Sequence, residues 1–563
     1  MSTFGTEQIE FLKDKSYLKG EETIEERINS ICLVVKSYED KYHQPGLSER
    51  LKDLISRRVF SLSTPQLANL GRNSRKNTTD LPCSCNIITV PNSIAGIYYS
   101  IGETAMLSKL GAGVGADFAN VSDKNTYLSE GFYSNPKLDW VEDLIGASKK
   151  VSQSSVRRGY AVPFFSIDDG EFYDILKRIH KTNPNKFDVL VNNNVGFSLP
   201  IGFRDRIKNN DKEAQKRFLE VLKIRQADGK VYLIDIENCN KNQSPVYETL
   251  GHIVKSSNIC TEVLTPHYDD KTFSCVIASL NLVHWDEIKN NSQIIKDCYI
   301  FLDIVNEEYI RLTEGVPFLE KARKSAMEKR DTGLGTLGFH TLLQSKGYSF
   351  GDVMSRILNK EIFSIIRKYG EEVTKEMAEI LGSPKMCEEA GLIRRNVSLM
   401  MVAPNKSTSF LMEASLGVEP IMSNYHIKAL AGIQSVFKNK SLEQLLIKKD
   451  KNTSEIWNSI LVNLGSVQHL EFLSQDEKNI FKTASEISPK DILDLAADRQ
   501  VYIDMAQSLN LFNRPNYTLK DIYDIHIYAF EKGIKTLYYF YPQAHSSLEK
   551  DGEKWDTCIS CAD

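Results

Sequence analysis

The chain has 563 residues, 41% of them apolar and 26% charged, and its 70 basic against 74 acidic side chains leave a net charge of −4. That composition is ordinary for a globular protein and gives no case for a broad nucleic-acid-binding face. No run of 18 apolar residues predicts a membrane span, and the N-terminal MSTFGTEQIEFLKDKSYLKG lacks an apolar signal core, so the chain is expected in the cytoplasm with no membrane or nucleic-acid partner.

Residues 23–42, TIEERINSICLVVKSYEDKY, predict an amphipathic helix. Thr23 and Glu26 make a capping box, and Ile24, Ile28, Ile31 and Val35 recur at helical spacing. Residues 48–72 continue in a helical or loop style. From about residue 80, short β-rich runs alternate with helical patterns: NIITV, FDVLVNNNVGF, KVYLIDIE, SNICTEV, FSCVIASLNLV, NVSLMMVAP and KTLYYFY. That alternation predicts an α/β architecture in which sheet and helices share a core. Helical patterns fill 296–330 and 354–382, and several more lie between 420 and 535. The closing AHSSLEKDGEKWDTCISCAD is polar and aperiodic and reads as a mobile tail.

Ten cysteines stand at 32, 83, 85, 239, 260, 275, 298, 387, 558 and 561. In a reducing compartment they are expected to be buried, catalytic or redox-active rather than bridged. Zinc-type spacing is absent, and no histidine sits in an E-x-x-H pair, so no metal centre is expected in this chain.

Several stretches hold candidate chemistry. In SNICTEV, Asn258, Cys260 and Glu262 alternate with Ile259, Thr261 and Val263. As a strand, one face would pack and the other would present an amide, a thiol and a carboxylate in a row. A half-exposed strand with Cys260 as a small hydrophobe is the alternative. In MVAPNKSTSFLMEAS (401–415), a strand-like run ends at Pro404 and Ser407, Thr408 and Ser409 precede a helical pattern. This layout suits an anion at a helix N-terminus, with Lys406 adding charge; plain N-capping would need only one hydroxyl. Gly111, Gly113 and Gly115 in LSKLGAGVGAD match neither a dinucleotide fingerprint nor a P-loop; they allow a close backbone approach or a tight loop. Arg157 and Arg158 beside Gly159 suit a phosphate or base contact, or are two solvated arginines. KTLYYFY predicts a buried aromatic strand, in which Tyr538 and Tyr539 would face opposite ways. Cys558 and Cys561 on a polar tail fit a mobile dithiol that exchanges electrons with another disulfide.

Taken in order, STPQLANLGR, PCSCNI, SNICTEV, the C-VIASLNL stretch at 275–282, DTGLGTLGF, APNKSTS, GVEPIMSN, TLYY and the cysteine tail resemble the catalytic large subunit of class I ribonucleotide reductase over roughly residues 60–563. The resemblance implies a ten-stranded α/β barrel of two antiparallel five-stranded halves, with SNICTEV as a central finger loop. It divides the chain into a helical N-terminal region (1–80), the barrel (81–542) and a redox-active tail (543–563). It implies reduction of ribonucleoside diphosphates to 2′-deoxyribonucleoside diphosphates for DNA precursor synthesis. Cys260 would become a thiyl radical and abstract the ribose 3′-hydrogen, Glu262 would act as general base, and Asn258 would hold the geometry. Cys85 and Cys275 would supply two electrons and end as a disulfide, which Cys558 and Cys561 would re-reduce. Thioredoxin or glutaredoxin would restore the tail. Ser84 and Cys85 match the family's S-C pattern, and Cys83 is an extra. Tyr538 and Tyr539 would relay the radical from a separate, metal-containing small subunit, with no cofactor bound in this chain.

The same resemblance puts Thr64, Ser84, Gly113, Pro404, Asn405, Lys406, Ser407 and Thr408 at the substrate, with its phosphates on the 404–409 loop. Asn92, Ser93 and Ile94, with Gln153 and Arg157, would meet a nucleoside triphosphate effector (ATP or a dNTP) near a homodimer interface at 92–122. Two positions depart from the family: Asn92, where aspartate is frequent, and Arg158, where glycine is usual. Cys85 comes too early for an N-terminal ATP-cone, so no shut-off through a cone is expected. Three rival readings differ in one feature each. An adenosylcobalamin-dependent reductase would lack the tyrosine pair. A silent nucleotide-binding paralogue would not need Cys85, Asn258, Cys260, Glu262 and Cys275 intact. A generic dithiol oxidoreductase would not need the 404–409 loop.

Overall fold

The computed structural model describes residues 4–72, 81–129, 132–151, 159–180, 183, 185, 188–191, 193–430 and 433–541. Gln153, Arg157, Arg158 and the tail with Cys558 and Cys561 lie outside the described residues.

The N-terminal segment is helical, as its periodicity predicts. Thr23 caps the Ile24–Tyr38 helix by accepting from the Glu26 N–H, and Glu26 reaches back to the Thr23 N–H at 2.8 Å. Ile24, Ile28, Ile31 and Val35 form its buried stripe. Buried Arg27 leaves this stripe to donate to the carbonyls of Leu67 and Leu70. It thereby ties the helix to the short Thr64–Asn69 helix, which opens at a cleft described below. Between them, Phe60–Leu62 pairs antiparallel with Ile277–Asn281, so the N-terminal region joins the sheets directly.

Five strands run parallel and in sequence order: Cys85–Thr89, Gly113–Asp117, Ala161–Ser166, Gly196–Leu199 and Tyr232–Asp235. Helices Ile94–Lys109, Lys137–Lys150, Phe172–Ile179 and Lys212–Asp228 connect them, since parallel neighbours need a long crossover. Phe273–Ser274 and Thr536–Leu537 close the two edges antiparallel, giving a seven-stranded sheet. Side chains alternate between two cores. Ile88, Val114, Ala116, Phe165, Phe197 and Leu233 face the helices. Cys85, Ile87, Val162, Phe164, Tyr232 and Ile234 face an inner cluster that also holds Cys260, Cys275, Tyr538 and Tyr539. Both faces are buried, as a parallel sheet requires.

A second sheet is smaller: Phe60–Leu62, Ile277–Asn281 and Gly333–Leu337, the last two parallel. The expected ten-stranded closure is not one continuous hydrogen-bonded sheet among the described residues. The five parallel strands form one half, and the opposite half is broken. NVSLMMVAP is the clearest departure. Its only ladder pairing among the described residues is an isolated bridge from Val402 to Gln507. The N–H groups of Leu399 and Met400 go instead to the Asp504 carboxylate, at 2.9 and 2.8 Å. FDVLVNNNVGF also yields a strand only from Gly196, because the Asp188 carboxylate accepts from the Leu190 N–H and folds the chain into a turn. Among the described residues no helix is long and apolar enough to cross a membrane.

Candidate active site

SNICTEV is not a strand. Val254–Ser257 and Leu264–Pro266 pair antiparallel, and residues 258–263 form the loop between them. Thr261 sits at φ +66°, a region that β-branched residues rarely adopt. The carbonyls of this loop find partners far away in sequence. Ser508 Oγ donates to Cys260 O at 2.6 Å, Thr536 Oγ1 to Thr261 O at 2.9 Å, and Ala506 N to Glu262 O at 2.9 Å. These contacts replace a strand ladder and fix the loop from behind. Gly115 accommodates it from the sheet side: a Cβ there would stand 2.3 Å from the Ser257 carbonyl oxygen.

The three polar groups converge all the same. Asn258, Cys260 and Glu262 are 0%, 4% and 2% exposed. Asn258 Nδ2 donates to Glu262 Oε1 at 2.9 Å, and Asn258 Oδ1 accepts from the Val263 N–H at 3.2 Å. The second carboxylate oxygen, Oε2, accepts from Ser508 Oγ at 2.9 Å.

Cys85 and Cys275 are cross-strand neighbours, with the Cys275 N–H donating to Cys85 O at 2.8 Å. Such opposed residues have Cα atoms about 4.5–5.5 Å apart, a span a disulfide can bridge. Both thiols are buried. Cys83 belongs to the outer core instead, where burial pushes its thiol well up from the ordinary range.

One cleft gathers most of the predicted substrate residues. Thr64, Ser84, Cys85, Cys260 and Glu262 line it together with Pro404, Asn405, Lys406, Ser407 and Thr408. Ser407 and Thr408 stand in the first turn of the Lys406–Met412 helix, whose leading N–H groups have no intrahelical acceptor. Asn405, at φ +52°, orders the turn: its amide donates to Thr336 O and Ala403 O, and its oxygen accepts from Ser279 and Thr408. Gly113 is not among the lining residues; it stands beside Cys85 on the neighbouring strand, donating to Ser84 O at 2.9 Å. Asn258 and Cys275 adjoin the cleft through Glu262 and Cys85. Ser61, Ser63 and Ser279 also line it; the sequence reading did not single them out, although Ser63 opens STPQLANLGR and Ser279 lies in the 275–282 stretch. Ser508 was also missed, since MAQSLN has no spacing that marks it.

Tyr538 and Tyr539 do not face opposite ways. The strand breaks between Thr536–Leu537 and Phe540–Tyr541, so both rings enter the inner cluster, 4.3 Å apart between centroids. Tyr232 packs on both, at 4.7 and 5.4 Å. The Tyr539 hydroxyl accepts from Asn194 Nδ2 at 3.0 Å and from the Tyr232 hydroxyl at 3.1 Å. Tyr541 stacks over Tyr539 at 5.2 Å and is half-buried, which extends the aromatic column outward. Beside the pair, Lys535 is fully enclosed and gives its ammonium to the carbonyls of Asn242, Asp504 and Met505; burial lowers it to about 8.

Asn92, Ser93 and Ile94 lie apart from the cleft. They follow the far end of the Cys85–Thr89 strand, about 13 Å along it from Cys85. Asn92 exchanges hydrogen bonds with Ser122, Ser93 caps the Ile94–Lys109 helix, and Ile94 is 61% exposed. Among the described residues no group of three or more His, Cys, Asp or Glu side chains is placed to hold a metal ion.

One cleft and its immediate backing thus bring together a buried thiol and carboxylate on a loop, a pair of neighbouring cysteines and a helix N-terminus. The ribonucleotide reductase barrel-domain family matches residues 83–214, 203–390 and 384–540, and the chain belongs to that family. It is 34% identical, over 361 residues, to the ribonucleoside-diphosphate reductase large subunit of Invertebrate iridescent virus 3; the match covers 62% of this chain and 57% of that one. The corresponding subunit of Invertebrate iridescent virus 6 is 35% identical over 61% of this chain, and 36% of its own length is spanned. The large chain of Encephalitozoon cuniculi is 26% identical over 93% of this chain and 76% of its own. Among solved structures, the Actinobacillus ureae class Id ribonucleotide reductase alpha subunit superimposes with a TM-score of 0.87 at 31% identity, covering 96% of this chain and 97% of that one.

Proposed function

We propose that this chain is the catalytic subunit of a class I ribonucleotide reductase, and that its cleft converts ribonucleoside diphosphates to 2′-deoxyribonucleoside diphosphates. The observation that carries the reading is the meeting of Cys260, Glu262, Cys85 and the 404–408 turn at one cleft. In this mechanism the Cys260 thiyl radical takes the 3′-hydrogen as an atom, leaving a thiol and a carbon-centred radical at C3′. Glu262 accepts the 3′-hydroxyl proton, and Asn258 holds its carboxylate toward the sugar. The 2′-hydroxyl leaves as water. The Cys85–Cys275 dithiol gives up two electrons and two protons and ends as a disulfide. One of those protons leaves with the 2′-hydroxyl, C2′ takes up the other with the two electrons, Glu262 returns its proton to the 3′-oxygen, and the Cys260 thiol returns its hydrogen atom to C3′ and is a radical again. One oxygen leaves the ribose as one water, and one dithiol becomes one disulfide. The near-complete burial of Cys260 keeps water and other thiols from the radical.

The substrate phosphates sit at the 404–408 turn, where helix N–H groups, the Ser407 and Thr408 hydroxyls and Lys406 supply positive charge and donors. Thr64 and Ser84 face the nucleoside, with Gly113 beside them. The radical comes from a metal-containing small subunit and enters through Tyr539 and Tyr538. Cys558 and Cys561 reset the Cys85–Cys275 disulfide and are themselves reset by thioredoxin or glutaredoxin. A nucleoside triphosphate effector binds at Asn92, Ser93 and Ile94, with Gln153 and Arg157, in a homodimer.

The test is nucleotide reduction by the purified chain with a dithiol, an effector and a ribonucleoside diphosphate, run alone, with adenosylcobalamin, and with a class I small subunit. Product in the last arm only, abolished by Cys260→Ser and by Tyr538→Phe, is expected. Product with adenosylcobalamin alone would assign the tyrosines to the core and overturn the class.

A further inference from the structure

We propose that Ser508 is a positioning residue whose hydroxyl turns with the protonation state of Glu262, coupling the base to the backbone of the radical cysteine; this rests on the reading of Glu262 as the general base. Ser508 is 5% exposed and lies outside the motifs that mark the site. Its Oγ is 2.6 Å from the Cys260 carbonyl oxygen and 2.9 Å from Glu262 Oε2. A hydroxyl has one proton, so it serves one of these acceptors at a time. The backbones around it are fixed: Ser508 N donates to Val402 O and Ala506 N to Glu262 O, both at 2.9 Å. Asn258 holds the other carboxylate oxygen. What remains adjustable at Ser508 is the direction of its O–H.

Two states follow. With Glu262 ionised, the carboxylate only accepts, and Ser508 turns its proton onto Oε2; a charge-assisted bond of this kind favours the anion. When Glu262 takes the 3′-hydroxyl proton, its new O–H donates to Ser508 Oγ, and Ser508 turns its own proton onto the Cys260 carbonyl. No proton leaves the site and no bond is lost. The acid is held in place to return its proton, and the hydrogen bond on the Cys260 peptide changes in step with it.

Other charged and titratable groups packed around Glu262 are engaged elsewhere or unchanged by a substitution at 508. Asp504 accepts from Leu399 N, Met400 N and Arg367; Lys535 serves three carbonyls; Glu419 accepts from Asn510. Lys406, Cys85 and Cys260 line the cleft with Glu262, and Cys275, Tyr538 and Tyr539 share its inner cluster. A shift in the acid limb on changing Ser508 therefore reports the Ser508–Glu262 bond.

The experiment is the pH profile of kcat for the chain assembled with a supporting small subunit, in wild type, Ser508→Ala and Ser508→Thr, with Glu262→Gln as control. Ser508→Ala is expected to move the acid limb up by a few tenths of a pH unit, because the carboxylate loses a charge-assisted bond where the acid loses only neutral ones. Ser508→Thr keeps the hydroxyl and is expected to restore the wild-type limb; melting curves check that each variant folds. Glu262→Gln inactive with the Ser508→Ala limb superimposed on wild type would overturn this inference alone. Full activity in Glu262→Gln would overturn the reading of the base, and this inference with it.

Discussion

The Thr536 hydroxyl donates to the carbonyl of Thr261 at 2.9 Å, and so joins the strand that leads to Tyr538 and Tyr539 to the loop that holds Cys260. The same hydroxyl also reaches the Gln507 carbonyl at 3.0 Å. One side chain thus ties together the proposed radical entry, the proposed radical site and the Ser508 segment. Replacing it by valine keeps the shape and removes the donor. Thr536→Val is expected to cost about 1–3 kcal/mol of stability, because buried carbonyls lose a partner. Urea denaturation measures that loss, and turnover is expected to fall further than nucleotide binding.

Gly115 is needed for space. An added methyl would meet the Ser257 carbonyl oxygen at 2.3 Å and the Asn258 Cα at 3.0 Å, both rigid backbone. Gly115→Ala is expected to push the loop out of register with Ser508 and Thr536. A loss of about 100-fold in kcat follows from a misplacement on the order of 1 Å, with far-ultraviolet circular dichroism unchanged.

The paired thiols make a chemical prediction. Assembled with a class I small subunit but without external reductant, the pre-reduced chain is expected to complete about two turnovers, one for each dithiol, and lose four alkylatable thiols; with Cys558→Ser and Cys561→Ser it is expected to stop after about one turnover and two thiols. Peptide mapping of that variant should place the new disulfide at Cys85–Cys275. Cys83, packed in the outer core with a raised thiol, should stay reduced. A Cys83 disulfide would reverse the assignment of the two neighbouring cysteines.

A buried charge network outside the site sets the acid stability. Burial raises the Asp303 carboxyl, but Arg330 and Arg395 outweigh it and hold it at about 2. Arg330 grips it at 2.9 Å through both Nε and Nη2, and Tyr42 adds a hydrogen bond at 2.6 Å. The folded-state value lies below the unfolded one of about 3.9. Its stabilisation is therefore fully present above pH 4 and lost as pH falls toward 2. Denaturation midpoints measured from pH 6 downward should show this slope. Asp303→Asn should flatten it and cost on the order of 3 kcal/mol, since it leaves the buried Arg330 and Arg395 sharing Glu307 as their carboxylate partner.

The grouping of the candidate site was legible because its residues fall in short motifs. Ser84 and Cys85, the 404–408 turn and the Asn258–Cys260–Glu262 triplet each sit within a few residues, and they do share one cleft or its immediate backing. The N-terminal helix was legible for the same reason, since Thr23 and Glu26 are local partners. What failed was backbone form that distant residues decide. The carbonyls of Cys260, Thr261 and Glu262 are bonded by Ser508, Thr536 and Ala506, more than 240 positions away, so β-branched alternation predicted a strand where a loop stands. Asp504 likewise takes the N–H groups that would have made 396–404 a regular strand. Tyr538 and Tyr539 share one cluster because the strand breaks at them, and nothing in KTLYYFY marks that break.

The central claim is that Cys260 removes the 3′-hydrogen. The most direct measurement is the kinetic isotope effect on turnover of a ribonucleoside diphosphate carrying deuterium at C3′, in wild type beside Cys260→Ser. A primary effect on kcat/KM, deoxynucleotide that retains the label at C3′, and no product from Cys260→Ser are expected. An isotope effect of unity together with turnover by Cys260→Ser would contradict it.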